Sequence, residues 1–245
     1  MQITEIVTDE MMREIREHGT PEFPFEYYLD DISKIGQGYV EWHWHNEIEW
    51  AWVECGRVIC RIGNEKIVLA EGEGIFINSR VIHRFETPAG ALMPNILYAP
   101  ELLAARESVI YQKYVSPIIT YGKEYVILEK GKNSGILNWL DEIYKEAGKD
   151  MPRKELILQN KISCLWNELL EEVPDIVQRK SRNKNLLLQS RLREMIQFIE
   201  NHYKERISLE RLAAEAHISK SEALRCFRQG IGMTPGAFRE GNDIR

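Results

Sequence analysis

Between Phe23 and about Pro100 the apolar positions recur at every second residue in short runs: FPFEYYL, YVEWHWH, IEWAWVE, RVICRI, KIVLA, GIFIN, VIHRFE and NILYA. A period of two sets alternate side chains on opposite faces of a strand. Turn residues separate the runs, and Gly63-Asn64, between RVICRI and EKIVLA, reads as a two-residue hairpin loop. Seven or eight short strands in about eighty residues predict a small antiparallel barrel or sandwich. Ahead of them, Thr8 is the expected N-cap of a short helix, with Asp9 and Glu10 in its first turn and Gly19 just past its end.

Past residue 100 the period becomes helical. Ile136, Trp139, Leu140, Ile143, Tyr144 and Ala147 make one stripe, and Leu158, Ile162, Leu165, Leu169 and Val173 a second, closed by Pro174. Internal packing is the ordinary use of such stripes, and pairing with a second copy is the other. Residues 178–185, QRKSRNKN, have no apolar member and form the natural linker. Leu188, Leu192, Met195, Ile196, Ile199 and Tyr203 resume the helical stripe.

In ISLERLAAEAHISKSEALRCFRQGIGMTPGAF, Ser208 can cap a short helix with inner face Leu209, Leu212, Ala213 and Ala216. His217-Ile218 is a tight break, and Ser219 with Glu222 forms a capping box for a second helix. The inner face of that helix is Ala223, Cys226 and Phe227. Its outer face is Ser221, Leu224, Arg225 and Arg228, with Lys220 beside it. Two short helices joined by about three residues fit a helix-turn-helix, whose second helix lies in the major groove. Arg225 and Arg228 can grip guanine edges or phosphates, and Lys220 suits a phosphate. A helical hairpin within a bundle is the plainer reading.

Charge supports the sharper one. The 245-residue chain has a net charge of −6, yet residues 1–178 hold 18 Lys+Arg against 30 Asp+Glu, while residues 179–245 hold 14 against 8. A net of −12 is thus followed by +6, which suits a basic module facing a polyanion. No apolar run approaches the roughly 20 residues of a membrane helix. The acidic N-terminus is unlike a signal peptide, and Cys55, Cys60, Cys164 and Cys226 have no CxxC spacing. A cytoplasmic, soluble protein with reduced thiols is expected, with no membrane partner.

The strand region carries its own chemistry. His43 and His45 share one face, Glu49 follows, and His83 lies on a later strand. Three imidazoles and a carboxylate converging in a barrel can form a first shell for Zn, Ni, Fe or Mn. The same groups would equally serve as hydrogen-bonding walls for a small polar effector. Trp42, Trp44, Trp50 and Trp52 alternate with these polar residues, so a large apolar surface must be covered by helices or by another subunit.

Together these segments resemble the AraC/XylS-type bacterial transcription regulators. The stretch from His43 to Gly56 is similar to the first cupin motif, HxHx3Ex6G, without a gap. Gly72 to His83 is similar to the second, departing where Asn78 stands for the usual proline, Arg80 for glycine and, beyond it, Thr87 for asparagine. The C-terminal run Arg225, Phe227, Gly232, Thr234, Pro235 resembles the first helix-turn-helix of that family, whose recognition residues fall on Ser221, Leu224 and Arg225. The resemblance implies an all-β cupin barrel (a double-stranded β-helix or jelly roll), a helical segment and an all-α helix-turn-helix domain.

The expected divisions are a barrel with an N-terminal arm over 1–100, a helical dimerisation segment over 101–177, a linker over 178–187 and the DNA-binding part over 188–245. The family's second helix-turn-helix is expected to be lacking. The implied function is a homodimeric, ligand-responsive regulator of double-stranded DNA and not an enzyme, sensing a metabolite or sugar through His43, His45, Glu49 and His83. The alternative is a metal-dependent cupin enzyme of oxygenase or isomerase type with a non-functional DNA-binding tail.

Overall fold

In the computed structural model every one of the eight β-type runs is a strand: β1 (Phe25–Asp31), β2 (Tyr39–His43), β3 (Ile48–Trp52), β4 (Cys55–Ile62), β5 (Glu65–Ala70), β6 (Gly74–Ile77), β7 (His83–Glu86) and β8 (Ala91–Tyr98). The structure describes residues 6–9, 12–35, 38–63, 65–177, 188, 191–192, 194–196, 198–199, 202, 205, 207–231, 234–236 and 238. The proposed linker, Asn64, Tyr203, Gly232 and the last seven residues lie outside these.

The strands pair antiparallel in two sheets that share β4. One runs β1-β8-β3-β6, and the other joins β2, β7, β4 and β5. The start of β4 crosses to the first sheet, where Cys55 and Gly56 lie opposite Leu92 and Ala91. Inward residues of both sheets, among them Val58, Ile75, Ile77, Phe85 and Met93, form one buried core. This is the barrel that the period-two pattern predicts.

A ninth strand, β9 (Tyr125–Leu128), extends the first sheet beyond β6. It corrects the expectation of a purely helical segment over 101–177. Its four residues YVIL are too few to separate strand from helix by periodicity, and pairing with β6 decides the matter. The rest of the segment is helical: a π-turn (Tyr111–Val115) running into α1 (Ser116–Tyr121), then α2 (Ser134–Ala147) and α3 (Lys154–Glu172). Ile136, Leu140 and Ile143 of α2 and Leu158, Ile162 and Leu165 of α3 are fully or almost fully buried. They cover the outer face of the first sheet at Trp50 and Phe76, so both predicted stripes are spent within this chain.

The expected helix between Thr8 and Gly19 does not form among the described residues. Thr8 bridges Glu14, and Arg13 bridges Trp44. The Glu14 N–H donates to the Trp44 carbonyl (2.9 Å) and the Trp44 N–H to the Met12 carbonyl (2.9 Å). The residues after His43 leave main-chain groups unpaired, and the arm satisfies them in extended form, which outweighs a weak local helix signal.

Described residues 188, 191–192, 194–196 and 198–199 are helical, followed by α4 (Leu209–Glu215) and α5 (Lys220–Ile231). Ser208 Oγ accepts from the Arg211 N–H and Ser219 Oγ from the Glu222 N–H, as capping requires. His217, at φ +52°, makes the break between them. These helices bury Met195, Ile196, Leu212 and Phe227 in one cluster with Trp42, Trp44 and Ile82 of the barrel. The four tryptophans are therefore covered by helices on two different sides. Among the described residues no helix is long and apolar enough to cross a membrane.

Gly56 has φ +89°, and a Cβ there would lie 2.5 Å from the Gly90 carbonyl oxygen. Gly56→Ala should destabilise the barrel by about 1–3 kcal/mol from backbone strain alone, read as a lowered urea midpoint. An unchanged midpoint would mean that the β4–β8 crossing relaxes freely.

Candidate functional site

Alternation along one strand sets up the site. Trp42 and Trp44 leave the chain on one side, and His43 and His45 point into the barrel. A register shift between Val40 and His43 places His43 opposite His83, and their rings sit 4.2 Å apart. Glu49 enters from β3, whose other face carries Trp50. The structure therefore brings together the four residues that the sequence singles out. All are buried, His83 completely, and one donor atom from each falls within 4.8 Å of the others.

The main chain fixes how the imidazoles present themselves. Nδ1 of His43 donates to the Glu41 carbonyl (2.8 Å), Nδ1 of His45 to the Glu47 carbonyl (3.2 Å) and Nδ1 of His83 to the Val81 carbonyl (2.9 Å). A carbonyl only accepts, so each Nδ1 carries its proton and each Nε2 faces inward. His45 Nε2 and His83 Nε2 lie 3.1 and 3.0 Å from the same carboxylate oxygen, Glu49 Oε2. In the neutral tautomers these are lone pairs facing an acceptor. Such a cluster needs a cation at its centre, a proton or a metal. Three nitrogens and one oxygen, with carbonyls holding the ring orientation, fit a divalent transition metal.

The electrostatics agree with one shared positive charge. Burial pushes the Glu49 carboxyl up, but the His83 charge and hydrogen bonding from the imidazoles outweigh it and hold it well below the usual range. Burial also pulls His83 down, and the Glu49 carboxylate more than offsets this. His43 has no such partner: burial and the neighbouring His83 charge push it down to about 3, so it stays neutral.

Sequence reasoning missed the other wall of this site. From the arm, His18 Nε2 donates to Glu14 Oε2 (3.2 Å) and His18 Nδ1 meets the Tyr28 hydroxyl (3.0 Å). Asn95 Nδ2 donates to Asp30 Oδ2 (2.7 Å), while Asp30 Oδ1 and Asn95 Oδ1 have no partner among the described residues. These residues, with His43, His45 and Glu49, line a cavity of about 20 Å³, room for roughly one water. The polar inward positions of β1, Tyr28 and Asp30, are a signal in hindsight. The arm leaves none, because Glu14 and His18 are four apart and read as helix.

Each departure from the second cupin motif has its own local role. Asn78 Nδ2 donates to the Ile118 (2.9 Å) and Lys123 (3.1 Å) carbonyls, tying the barrel to the helical segment. Arg80 takes the left-handed conformation, φ +64°, that glycine would favour. Thr87 Oγ1 donates to the Arg57 carbonyl (3.0 Å).

At the other end of the chain, Lys220, Ser221, Arg225 and Arg228 are exposed on α5 and Leu224 is half-buried, whereas Ala223, Cys226 and Phe227 face inward. Arg225 Nε donates to Glu222 Oε2 (3.0 Å), and Lys220 pairs with Glu210. The side chain of Glu222 is thus engaged with Arg225 and Arg191. All four cysteines are free thiols.

Burial first, then the Glu49 and Glu14 charges, push the Asp30 carboxyl up to about 7 against the Asn95 hydrogen bond. Below the ordinary carboxylate range both folded and unfolded chains hold this proton. As pH rises towards 7 only the unfolded chain releases it, so stability falls across that window at about 1.4 kcal/mol per pKa unit. In chelator, Asp30→Asn should therefore narrow the stability difference between pH 5 and pH 8 measured by urea unfolding. An unchanged difference would place the titration elsewhere.

Residues 33–93 match the Cupin domain family. Over 235 residues, 94% of this chain and 79% of the relative, the chain is 28% identical to the uncharacterized HTH-type transcriptional regulator YdeC of Bacillus subtilis (strain 168). Among solved structures it is similar to apo ToxT from Vibrio cholerae (TM-score 0.45, 11% identity, 92% of this chain and 99% of that one). It is also similar to the AraC-like transcriptional activator CuxR (TM-score 0.36, 13% identity, 81% and 66%). The chain thus carries a cupin domain and is a homologue of an HTH-type transcriptional regulator, in keeping with the resemblance to AraC/XylS-type regulators borne by its motifs.

Proposed function

We propose that the chain is a ligand-responsive, sequence-specific DNA-binding transcription regulator. In this reading the barrel interior senses a small polar ligand and α4 and α5 form the helix-turn-helix that reads double-stranded DNA. One observation carries it: the exposed basic face of α5 stands opposite an inner face that shares a buried cluster with Trp42, Trp44 and Ile82. These are the chain neighbours of His43, His45 and His83. A sensing site and a reading surface are thereby set on two sides of the same strands. Homology to an HTH-type regulator supports the same assignment.

Ser221, Leu224 and Arg225 lie in the N-terminal half of α5, Ser221 and Arg225 exposed and Leu224 half-buried, and are the base-reading candidates. Lys220 and Arg228 are the phosphate contacts. The ion pairs Arg225–Glu222 and Lys220–Glu210 are solvent-exposed. Such pairs are worth about 0–1 kcal/mol, so these cations exchange their carboxylates for DNA at little cost.

His43, His45, Glu49 and His83 would hold the ion in the barrel. A divalent ion bound there supplies the positive charge that this cluster lacks. Asp30 Oδ1 and Asn95 Oδ1, on residues lining the cavity, are polar atoms left for a ligand to engage. A sugar-sized molecule needs far more than about 20 Å³, so it enters only once the arm carrying Glu14 and His18 lifts. The intact His/His/Glu/His set is also what a metal-dependent enzyme would use. The regulator homology weighs against an organic substrate turning over there. Val109, Ile110 and Tyr114 leave apolar surface exposed in the 101–177 segment, which suits a homodimer contact in a cytoplasmic regulator.

Fluorescence anisotropy on DNA from upstream of the coding region tests this reading. Arg225→Ala should weaken binding by about 1–3 kcal/mol and relax preference at one base pair, while Lys220→Ala should weaken all sequences alike and reduce the log–log salt slope by about one. Equal affinity of both variants and the parent for native and scrambled DNA would sink the assignment.

A further inference from the structure

The barrel residues beneath α4 and α5 do not form a separate docking patch. Along 42–45 the chain alternates Trp42, His43, Trp44, His45, and in β7 and the residue before it comes the pair Ile82, His83. Trp42, Trp44 and Ile82 are 5%, 8% and 0% exposed because the C-terminal helices sit on them. His43, His45 and His83 are equally buried on the barrel side. Each imidazole is anchored through Nδ1 to a carbonyl two residues away, so a ring cannot re-aim its Nε2 without drawing on its own strand.

The contact is close at a second point. The turn after β4 holds Gly63 at φ +58°, and a Cβ there would lie 2.6 Å from the Gln229 carbonyl oxygen of α5. The arm joins the barrel at Trp44, which makes both main-chain bonds of the bridge between them.

We propose that a divalent metal ion is itself the signal, read by the reading head through the Trp42–Trp44–Ile82 seat. This rests on the reading above, that the four residues hold a metal and that α4 and α5 bind DNA, and it names the ligand class. The cavity beside the cluster has space for about one water, and the donor atoms already lie within 4.8 Å of one another. An ion is the ligand this state admits. Without it, Glu49 Oε2 gathers two imidazoles at 3.0 and 3.1 Å. With it, all four donor atoms turn to one centre, and Trp42, Trp44 and Ile82, attached to three of those residues through the main chain, shift under the helices.

The test uses the full chain, with Zn(II) and Mn(II) as probes and a chelator-treated reference. Ion binding is measured by equilibrium dialysis, DNA affinity by anisotropy, and amide hydrogen exchange is followed in α4 and α5. The expected result is one ion per chain, a change in DNA affinity of roughly 5- to 150-fold, the usual span of coupling between sites, and altered exchange in both helices. His83→Ala should abolish ion binding and the response together.

Trp44→Leu and the milder Ile82→Val should still bind the ion, with the change in DNA affinity and exchange reduced. Stoichiometric ion binding with neither DNA affinity nor exchange altered would overturn the proposal and leave the metal site standing. Absence of ion binding at micromolar concentration would overturn the metal reading itself, and this inference with it.

Discussion

A carboxylate inside a barrel is cut off from the bulk water that would balance it, and Glu49 is such a group. Its charge survives burial because imidazoles surround it, and the imidazoles are usable only because main-chain carbonyls hold their protons on the far nitrogens. Much else follows from meeting that demand. The register shift in β2 sets His43 across from His83. The second cupin motif must deliver His83 to the same depth even though Asn78 and Arg80 stand where proline and glycine are usual. The cost of burying a charge, of order several kcal/mol, makes this cluster the least negotiable part of the domain.

The period of two in a strand then does something that a helix could not do as directly. Successive residues belong to different environments, so a strand two layers deep is a wall shared by two rooms. Here one room is the polar interior, and the other is the apolar seat of the C-terminal helices. The first sheet repeats the arrangement at β3, where Glu49 and Trp50 serve the cluster and the α2–α3 layer respectively. One constraint, a charged centre inside and aromatic surface outside, thereby fixes the position of both helical layers relative to the barrel.

Much of this is legible in the sequence because the same alternation is written in it. Each β-type run up to residue 100 is a strand, the stripes of α2 and α3 are buried as their spacing implies, and the four converging residues are those spaced as HxHx3E with a later histidine. What the sequence conceals is tertiary. β9 exists because β6 offers a free edge, and four residues carry no periodicity to announce it. The arm is extended because Trp44 has main-chain groups to satisfy, which overrides a cap signal at Thr8. Glu14, His18, Asp30 and Asn95 reach the site from three distant segments, and only closure of the barrel brings them together.

The arm also bears on time. His43, His45, Glu49 and His83 are each at most a few per cent exposed, and the arm lies over them, held by paired main-chain bonds and the His18–Tyr28 contact. For a ligand that passes this segment, arriving or leaving, the way is shut while the arm is down. The pace of exchange is then set by how often a short stretch of chain comes away from Trp44, and not by how fast a ligand diffuses to the surface. A site closed in this way averages over brief changes in its surroundings and answers only those that last longer than the arm stays shut.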